Sequence, residues 1–486
     1  MRILFATSEA QPLIKTGGLA DVAGSLPVAL QQLDTDTRLL LPAYGQTLER
    51  IGQLKLVKRL SITQPKSLTV RLWQGLLPGH TVPVFLIDKP ELFDRDSGGP
   101  YNDENGHDWP DNALRFAVLS QVAALIALNQ AGLDWKPDIV HCHDWQTGLV
   151  PVYLSSHSNR PQSVFTIHNL AYRGIFDRKC YESLSLPDEL WHPEKLEFFG
   201  QFSFMKGGLV FADRITTVSP TYAEEILTPE FGQGLEGLLQ YRENDLSGII
   251  NGIDTDIWNP DTDRHLISSF NDQTLSTKSV NKRFLVRKFF RTTDFRSPLF
   301  VFIGRLTEQK GVDLILQAMP KLLDHDIRLI FLGTGDKELE YQLTALATTH
   351  PHQVATFVGY SEKLAHQLEA GADCFLMPSR FEPCGLNQLY SLRYGTLPLV
   401  HRTGGLTDTV IDANTKNIAN QTATGFHCPD LSVEAFLETI ERILNCYHQQ
   451  KKTWKNMQQR GMQQSFSWAK SARKYQRLYQ ELIDLK

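Results

Sequence analysis

Arg305 and Lys310 share one short segment, Gly304-Arg305-Leu306-Thr307-Glu308-Gln309-Lys310-Gly311. A guanidinium offers a two-pronged fork and an ammonium a mobile point charge, so the two together suit a diphosphate. Either cation alone would pass for a solvated loop residue or a partner of Glu308. Farther on, Ser379-Arg380-Phe381-Glu382-Pro383-Cys384-Gly385-Leu386 sets a carboxylate beside a proline and a glycine. Glu382 can accept hydrogen bonds from sugar hydroxyls or stabilise positive charge developing at an anomeric carbon. Lys15-Thr16-Gly17-Gly18-Leu19-Ala20-Asp21 is echoed by Arg402-Thr403-Gly404-Gly405-Leu406-Thr407-Asp408. Paired glycines ahead of a helix let bare backbone N–H groups approach an anion, and the helix dipole adds partial positive charge. One copy reads equally well as a tight turn. Two copies, each with a basic residue, point to two lobes closing on one phosphorylated ligand.

His141-Cys142-His143-Asp144-Trp145 joins a hydroxyl acceptor, Asp144, to an aromatic face, Trp145, a pairing suited to carbohydrate. Its two histidines have no third ligand of matching type, so a metal is not expected there. Thr166-Ile167-His168-Asn169 offers a second polar edge, with His168 divided evenly between a structural and a functional reading. Gly232-Gln233-Gly234-Leu235-Glu236-Gly237 has the form of the dinucleotide fingerprint but follows no strand, and is discounted. Gly333-Thr334-Gly335-Asp336 does follow a strand and could skirt a nucleotide. Asp94, Asp96, Asp103 and Glu104 lack the order of a calcium loop and read as solvent-exposed.

These residues need strand-to-helix loops to hold them, and the apolar pattern supplies such loops. Arg2 to Ala6 reads as a short buried strand, and Leu19, Val22, Ala23, Leu26, Leu30 and Leu33 share one helical face after the first glycine pair. Leu397 to Val400 is the strand before the second pair, with a helix expected from Leu406 through Ala413. Further strand-like runs are Val82 to Ile87, Ile139 to His141, Ser163 to Ile167, Arg214 to Val218, Leu299 to Ile303, Ile327 to Leu332 and Cys374 to Met377, alternating with helical patterns. That succession is the signature of doubly wound parallel α/β sheets, whose ligands bind at the carboxyl edge. A chain of 486 residues exceeds one core, so two large domains are expected, joined by a polar stretch from Asn251 to about Asn281 with few apolar anchors. The segment from Trp468 through Tyr475, Leu478, Tyr479 and Leu482 reads as an amphipathic helix.

A net charge of −5 gives no broad electrostatic attraction to nucleic acid or to an anionic membrane, so any anion-binding charge must be local. No apolar run approaches a membrane span, and there is no apolar leader at the start. Six cysteines are scattered without Cys-x-x-Cys spacing, which fits a reducing, cytoplasmic setting.

With these residues assembled, the chain closely resembles the bacterial glycogen synthases and plant starch synthases, the ADP-glucose-using α-1,4-glucan synthases. The resemblance rests on Lys15 to Val22, His143-Asp144-Trp145, His168 to Tyr172, Val218-Ser219-Pro220, Asn251 to Asp254, Arg305 with Lys310, Ser379 to Leu386 and Arg402 to Asp408. It implies the GT-B architecture, two Rossmann-like domains over 1–250 and 251–465 with the active site in the cleft. It also implies that 466–486 form a helix crossing back to the first domain. It implies that Lys15, Gly18, Arg305 and Lys310 hold the ADP diphosphate, joined by backbone N–H groups near Thr403, Gly404 and Gly405. Glu382 would bind the transferred glucose beside Cys384 and Gly385, Tyr360 would stack on adenine, and Asp21 and Asn251 would line the donor site. His168 would stand near the anomeric carbon, while Tyr101, Asp144 and Trp145 receive the glucan end. The implied reaction is transfer of glucose from ADP-glucose to the non-reducing end of glycogen or another α-1,4-glucan, with retention and without metal or cofactor. The nearest alternative is a retaining transferase that uses UDP-glucose or another acceptor. The segment Arg287 to Thr293 departs from the family pattern.

Overall fold

The structure, a computed structural model, describes residues 1–63, 67–95 and 97–485; Asp96 of the acidic stretch lies outside them. The chain forms two compact units, Met1–Gly252 with Trp468–Lys486, and Ile253–Ser467.

In the first unit the described residues build a nine-stranded sheet around Arg2–Ala6. On one side of it lie Asp36–Pro42, Pro83–Asp88, Leu68–Leu76 and Lys55–Ile62, and on the other Ile139–His143, Gln162–Ile167, Arg214–Thr217 and Leu246–Gly248. The chain therefore leaves the central strand first one way and then the other, and a switch point falls between Arg2–Ala6 and Ile139–His143, both parallel to each other. Pairing is parallel except at one edge, where Leu68–Leu76 runs antiparallel to both of its neighbours. This departs from the all-parallel expectation, and the outermost strand shows why it is tolerated. Lys55, Lys58 and Arg59 of that strand are exposed, which blocks edge-to-edge association.

The helix Trp468–Asp484 belongs to this unit and buries Trp468, Ala472, Tyr475, Tyr479 and Leu482 in its core, a stripe with helical spacing. Polar bonds fix its register. Ser471 Oγ donates to the Ile250 carbonyl at 2.6 Å, and Gln476 Nε2 donates to the Leu33 carbonyl at 2.8 Å.

The second unit carries an all-parallel sheet ordered Val354–Val358, Arg328–Gly333, Leu299–Ile303, Cys374–Met377, Leu397–His401 and Phe426–Cys428. Numbered along the unit this is 3-2-1-4-5-6, the order of the dinucleotide-binding fold. Leu299 and Val301 enter one core cluster and Phe300 and Phe302 another, so alternate residues of one strand fill both faces. Its switch point lies between Leu299–Ile303 and Cys374–Met377, the two strands that lead into the Arg305/Lys310 loop and the Glu382 loop.

Two expectations are corrected here. The helix after the second glycine pair spans Gly404–Thr409 and stops well short of Ala413. Val410 turns extended, the Ile411 N–H donates to Thr424 Oγ1, and the Ala413 N–H donates to the Gly425 carbonyl, so local pairing ends the helix. The polar stretch after Asn251 is also better anchored than its composition suggests. Trp258 is sandwiched between His366 and Tyr390 at 3.8 and 3.7 Å, and Phe270 and Leu275 are buried. A few aromatic residues replace a run of aliphatic ones.

Candidate active site

In the first unit, the loop after Arg2–Ala6 is organised by a carboxylate that the sequence did not single out. Glu9 is buried, and its oxygens accept from Thr16 N at 2.5 Å, Thr16 Oγ1 at 2.6 Å, Gly17 N at 3.3 Å and the Tyr101 hydroxyl at 2.5 Å. Burial raises its pKa while these bonds oppose the rise. The loop then enters the helix Gly18–Gln31, whose N-cap Gly17 offers no side-chain cap. A helix start without a capping side chain leaves its first amides available to an anion. Lys15 Nζ pairs with Asp21 Oδ1 at 2.7 Å, placing a cation and its counter-ion beside that helix start. The Tyr101 hydroxyl donates to Glu9 and lies 2.7 Å from Ser8 Oγ.

Across the switch point, Asp144 ends the strand Ile139–His143 in the left-handed region (φ 56°). Its Oδ1 accepts from the backbone N–H of His168 at 2.7 Å and of Asn169 at 3.4 Å. Burial pushes its carboxyl up to about 7. That oxygen holds the His168 backbone in place. Trp145 is half-buried among Phe116, Phe176 and Phe204, with ring centroids 5.0 to 6.0 Å away. His168 Nε2 stands 2.9 Å from His143 Nδ1, and burial lowers the His168 pKa to about 3, so its ring is neutral. Asn251 is buried, and its Oδ1 has no hydrogen-bond partner among the described residues.

The second unit brings the other expected residues together at its switch point. Lys310 Nζ meets Glu382 Oε2 at 2.5 Å, and Ser379 Oγ donates to the same oxygen at 3.1 Å. Arg305 is exposed and donates to Gln309 Oε1 at 3.1 Å. Arg380, a residue of the Glu382 motif not assigned a role from sequence, ties the two loops. Its Nη1 and Nη2 donate to the two carboxylate oxygens of Asp313 at 2.7 and 2.6 Å, its Nη1 also to the Glu308 carbonyl, and its backbone N–H to the Gln309 carbonyl at 2.8 Å. Such a bidentate pair fixes geometry as well as charge.

The second glycine pair packs closely against the Glu382 loop. A Cβ on Gly404 (φ +43°) would lie 2.0 Å from the Glu382 carbonyl oxygen, and one on Gly405 would lie 2.2 Å from that of Cys384. The Gly405 N–H donates to the carbonyls of Glu382 and Pro383 at 3.1 and 3.2 Å. It therefore helps to position the Glu382 loop. Thr403 is the N-cap of the short helix that follows. Cys384 is buried, and Gln388 Nε2 donates to the carbonyls of Cys384 and Gly385 at 2.9 and 3.0 Å, closing this turn. Tyr360 is 74% exposed, beyond the edge strand Val354–Val358. Among the described residues, no three His, Cys, Asp or Glu side chains gather as a metal site, and no helix is long and apolar enough to cross a membrane.

Two doubly wound units, each with ionic and glycine-bearing loops at the carboxyl edge of its own switch point, together with a match of residues 287–461 to the group 1 glycosyl transferases, make this chain a glycosyltransferase of GT-B fold. Comparison with known proteins narrows the class. Residues 2–241 match the model of the starch synthase catalytic domain, and residues 287–461 that of glycosyl transferases group 1. Glycogen synthase of Cellvibrio japonicus is 53% identical over 99% of both chains, and that of Thioalkalivibrio sulfidiphilus 51% identical over 99% of this chain and all of the relative. Among solved structures, the catalytic domain of starch synthase IV from Arabidopsis thaliana, bound to ADP and acarbose, superposes with a TM-score of 0.88 at 32% identity over 99% of both chains. The sucrose-phosphate synthase of Thermosynechococcus elongatus shares the fold at a TM-score of 0.58 and 16% identity. The chain belongs to the glycogen synthase and starch synthase family.

Proposed function

We propose that the chain transfers glucose from ADP-glucose to the non-reducing end of an α-1,4-glucan with retention of configuration, releasing ADP. The observation that carries this reading is the Lys310–Glu382 pair, 2.5 Å apart at the switch point of the second unit with Arg305 in the same loop. A cation suited to a departing diphosphate there touches a carboxylate suited to sugar hydroxyls. When donor binds, Lys310 exchanges Glu382 for phosphate oxygens and Arg305 adds a forked contact. Glu382, released from its ion pair, accepts from the hydroxyls of the glucose. Lys15 and the Gly18 amide are assigned to the same diphosphate, Tyr360 to the base, and Asp21 and Asn251 to the donor's surroundings. That the relatives are glycogen synthases and a starch synthase bound to acarbose supports assigning Tyr101, Asp144 and Trp145 to the acceptor side, with Tyr101 and Asp144 shaping it through Glu9 and His168. The acceptor hydroxyl attacks on the face that diphosphate leaves, and the phosphate oxygen takes its proton, so configuration is kept. The six free cysteines support the cytoplasmic placement.

The test is incubation with glycogen and radiolabelled ADP-glucose or UDP-glucose. ADP-glucose-dependent label in precipitated polymer that an α-1,4-specific hydrolase releases is expected. Incorporation from UDP-glucose alone would reassign the donor.

A further inference from the structure

The ring of His143 is sealed from solvent and packed against two neighbouring rings. It stacks on Phe5 with centroids 3.9 Å apart and lies 4.0 Å from the ring of His141. His141 is pinned in turn, its Nδ1 2.7 Å from the Tyr479 hydroxyl and its Nε2 2.6 Å from Thr166 Oγ1. From this fixed seat His143 directs Nδ1 at Nε2 of His168, 2.9 Å away. Its own Nε2 is buried with no hydrogen-bond partner among the described residues. His168 is half-buried, and among the described residues its Nδ1 has no protein partner.

A proton count separates two arrangements. Burial holds both rings in the neutral form, His143 well below its ordinary value and His168 down to about 3. Two neutral rings facing nitrogen to nitrogen share one proton. If His168 donates from Nε2, then His143 carries its own proton on Nε2, where a sealed N–H finds no acceptor. If His143 donates from Nδ1, its Nε2 is a bare nitrogen and His168 carries its proton on Nδ1. Folded proteins very rarely leave a buried N–H orphaned, and tolerate an under-used acceptor more readily. The second arrangement therefore prevails.

We propose that His143 is a positioning residue, whose Nδ1–H bond to Nε2 of His168 holds that ring as its Nδ1–H tautomer and presents the Nδ1–H as a donor to a hydroxyl of the transferred sugar. Asp144 fixes the same residue through its backbone N–H, so His168 is gripped at main chain and ring by two neighbours of one strand end. The sugar as recipient rests on the glucan synthase reading; the tautomer does not.

The experiment uses the full chain labelled with 15N-histidine. Long-range 1H–15N spectra assign the ring nitrogens of His168 by comparison with His168→Gln. A protonated Nδ1 and bare Nε2, unchanged from about pH 6 to 8, are expected; a protonated Nε2 in the wild-type protein overturns the proposal. Kinetics give a second readout. His143→Leu, which removes the donor, should lower kcat about 100-fold with KM for ADP-glucose within about threefold. His143→Asn places an amide N–H near the position of Nδ1 and should recover most of that loss. Equal losses in both variants, or none in the Leu variant, refute the positioning role. If His143→Leu fails to fold, the wild-type spectrum and the Asn variant still decide. A wild-type protein with Nδ1 protonated that makes no polymer from either donor would keep the ring assignment and overturn the glucan synthase reading.

Discussion

Replacing Lys310 by alanine separates a leaving-group role from a structural one. In the structure Lys310 Nζ lies 2.5 Å from Glu382 Oε2, and the two side chains are 20% and 8% exposed. Truncation has two consequences of different size. The resting protein loses an ion pair and leaves a nearly buried carboxylate with only Ser379 Oγ, a cost of about 1–3 kcal/mol. Spread over a unit of this size, that lowers Tm by roughly 2–4 °C per kcal/mol. The reaction loses a preorganised charge facing the diphosphate, which costs about 3–4 kcal/mol of transition-state stabilisation, or about 100- to 1,000-fold in kcat. The kinetic effect exceeds the thermal one, and a measurement well below Tm isolates it. Initial rates of glucose incorporation into glycogen at saturating ADP-glucose should fall by that factor, while circular dichroism shows the variant folded. A Lys310→Ala protein with a lower Tm but kcat within about threefold of wild type would sink the leaving-group role and leave Lys310 as a clamp for Glu382.

Glu9→Gln exchanges an acceptor of four hydrogen bonds for an amide whose N–H must face a donor; expected are a loss of about 1–3 kcal/mol, seen as a lower urea midpoint, and a raised KM for ADP-glucose, and a variant unchanged in both would remove Glu9 as organiser of the Lys15 loop. Asp144 holds its proton up to about 7 in the folded chain against 3.8 ordinarily. Between those values the folded state binds a proton that the unfolded state has lost, so this group's contribution to stability declines as pH rises through the window. Asp144→Asn keeps the Oδ1 acceptor and removes the titration. Its Tm relative to wild type should therefore climb from about pH 5 to 8, and a constant difference would show that Asp144 is not protonated in the fold. Tyr360→Ala should raise KM for ADP-glucose about tenfold, as loss of a base-stacking ring does, with Tm unchanged because the side chain is 74% exposed. An unchanged KM would place the adenine elsewhere.

Much of the second unit was legible because its signals are local. Four buried residues from Leu299 to Phe302 with the half-buried Ile303, then a loop with two cations, then the helix Val312–Leu322 declare a strand, an edge and a turn in one line of sequence. The Lys310–Glu382 contact follows once both segments are placed on adjacent strands of a parallel sheet. What stayed hidden depends on long-range burial. Glu9 looks like any loop carboxylate until Tyr101, distant in sequence, is brought over it. His143 was given no role of its own, because sequence shows the i, i+2 spacing of the two histidines but not Phe5 and His141 packed around the His143 ring or His168 facing its Nδ1. The antiparallel edge strands escaped for the opposite reason: Lys55–Ile62 is largely exposed, and the strand reading followed apolar runs.

The repeated heptad shows how similar sequence can serve different physics. After Lys15 the glycines open a helix of 14 residues, and a Cβ on Gly17 would meet nothing within 4 Å. Free space before a row of uncapped amides, with Lys15 alongside, is what an anion needs. After Arg402 the helix has six residues, too short for much macrodipole, and its glycines are pressed against the backbone of Glu382 to Cys384. There the missing side chains allow two backbones to touch. It follows that an alanine at Gly405 would harm the protein by displacing Glu382, whereas an alanine at Gly17 would act only through the ligand. The two substitutions therefore separate loop geometry from anion binding: Gly405→Ala should lower both Tm and kcat, and Gly17→Ala should leave Tm in place and raise KM for ADP-glucose.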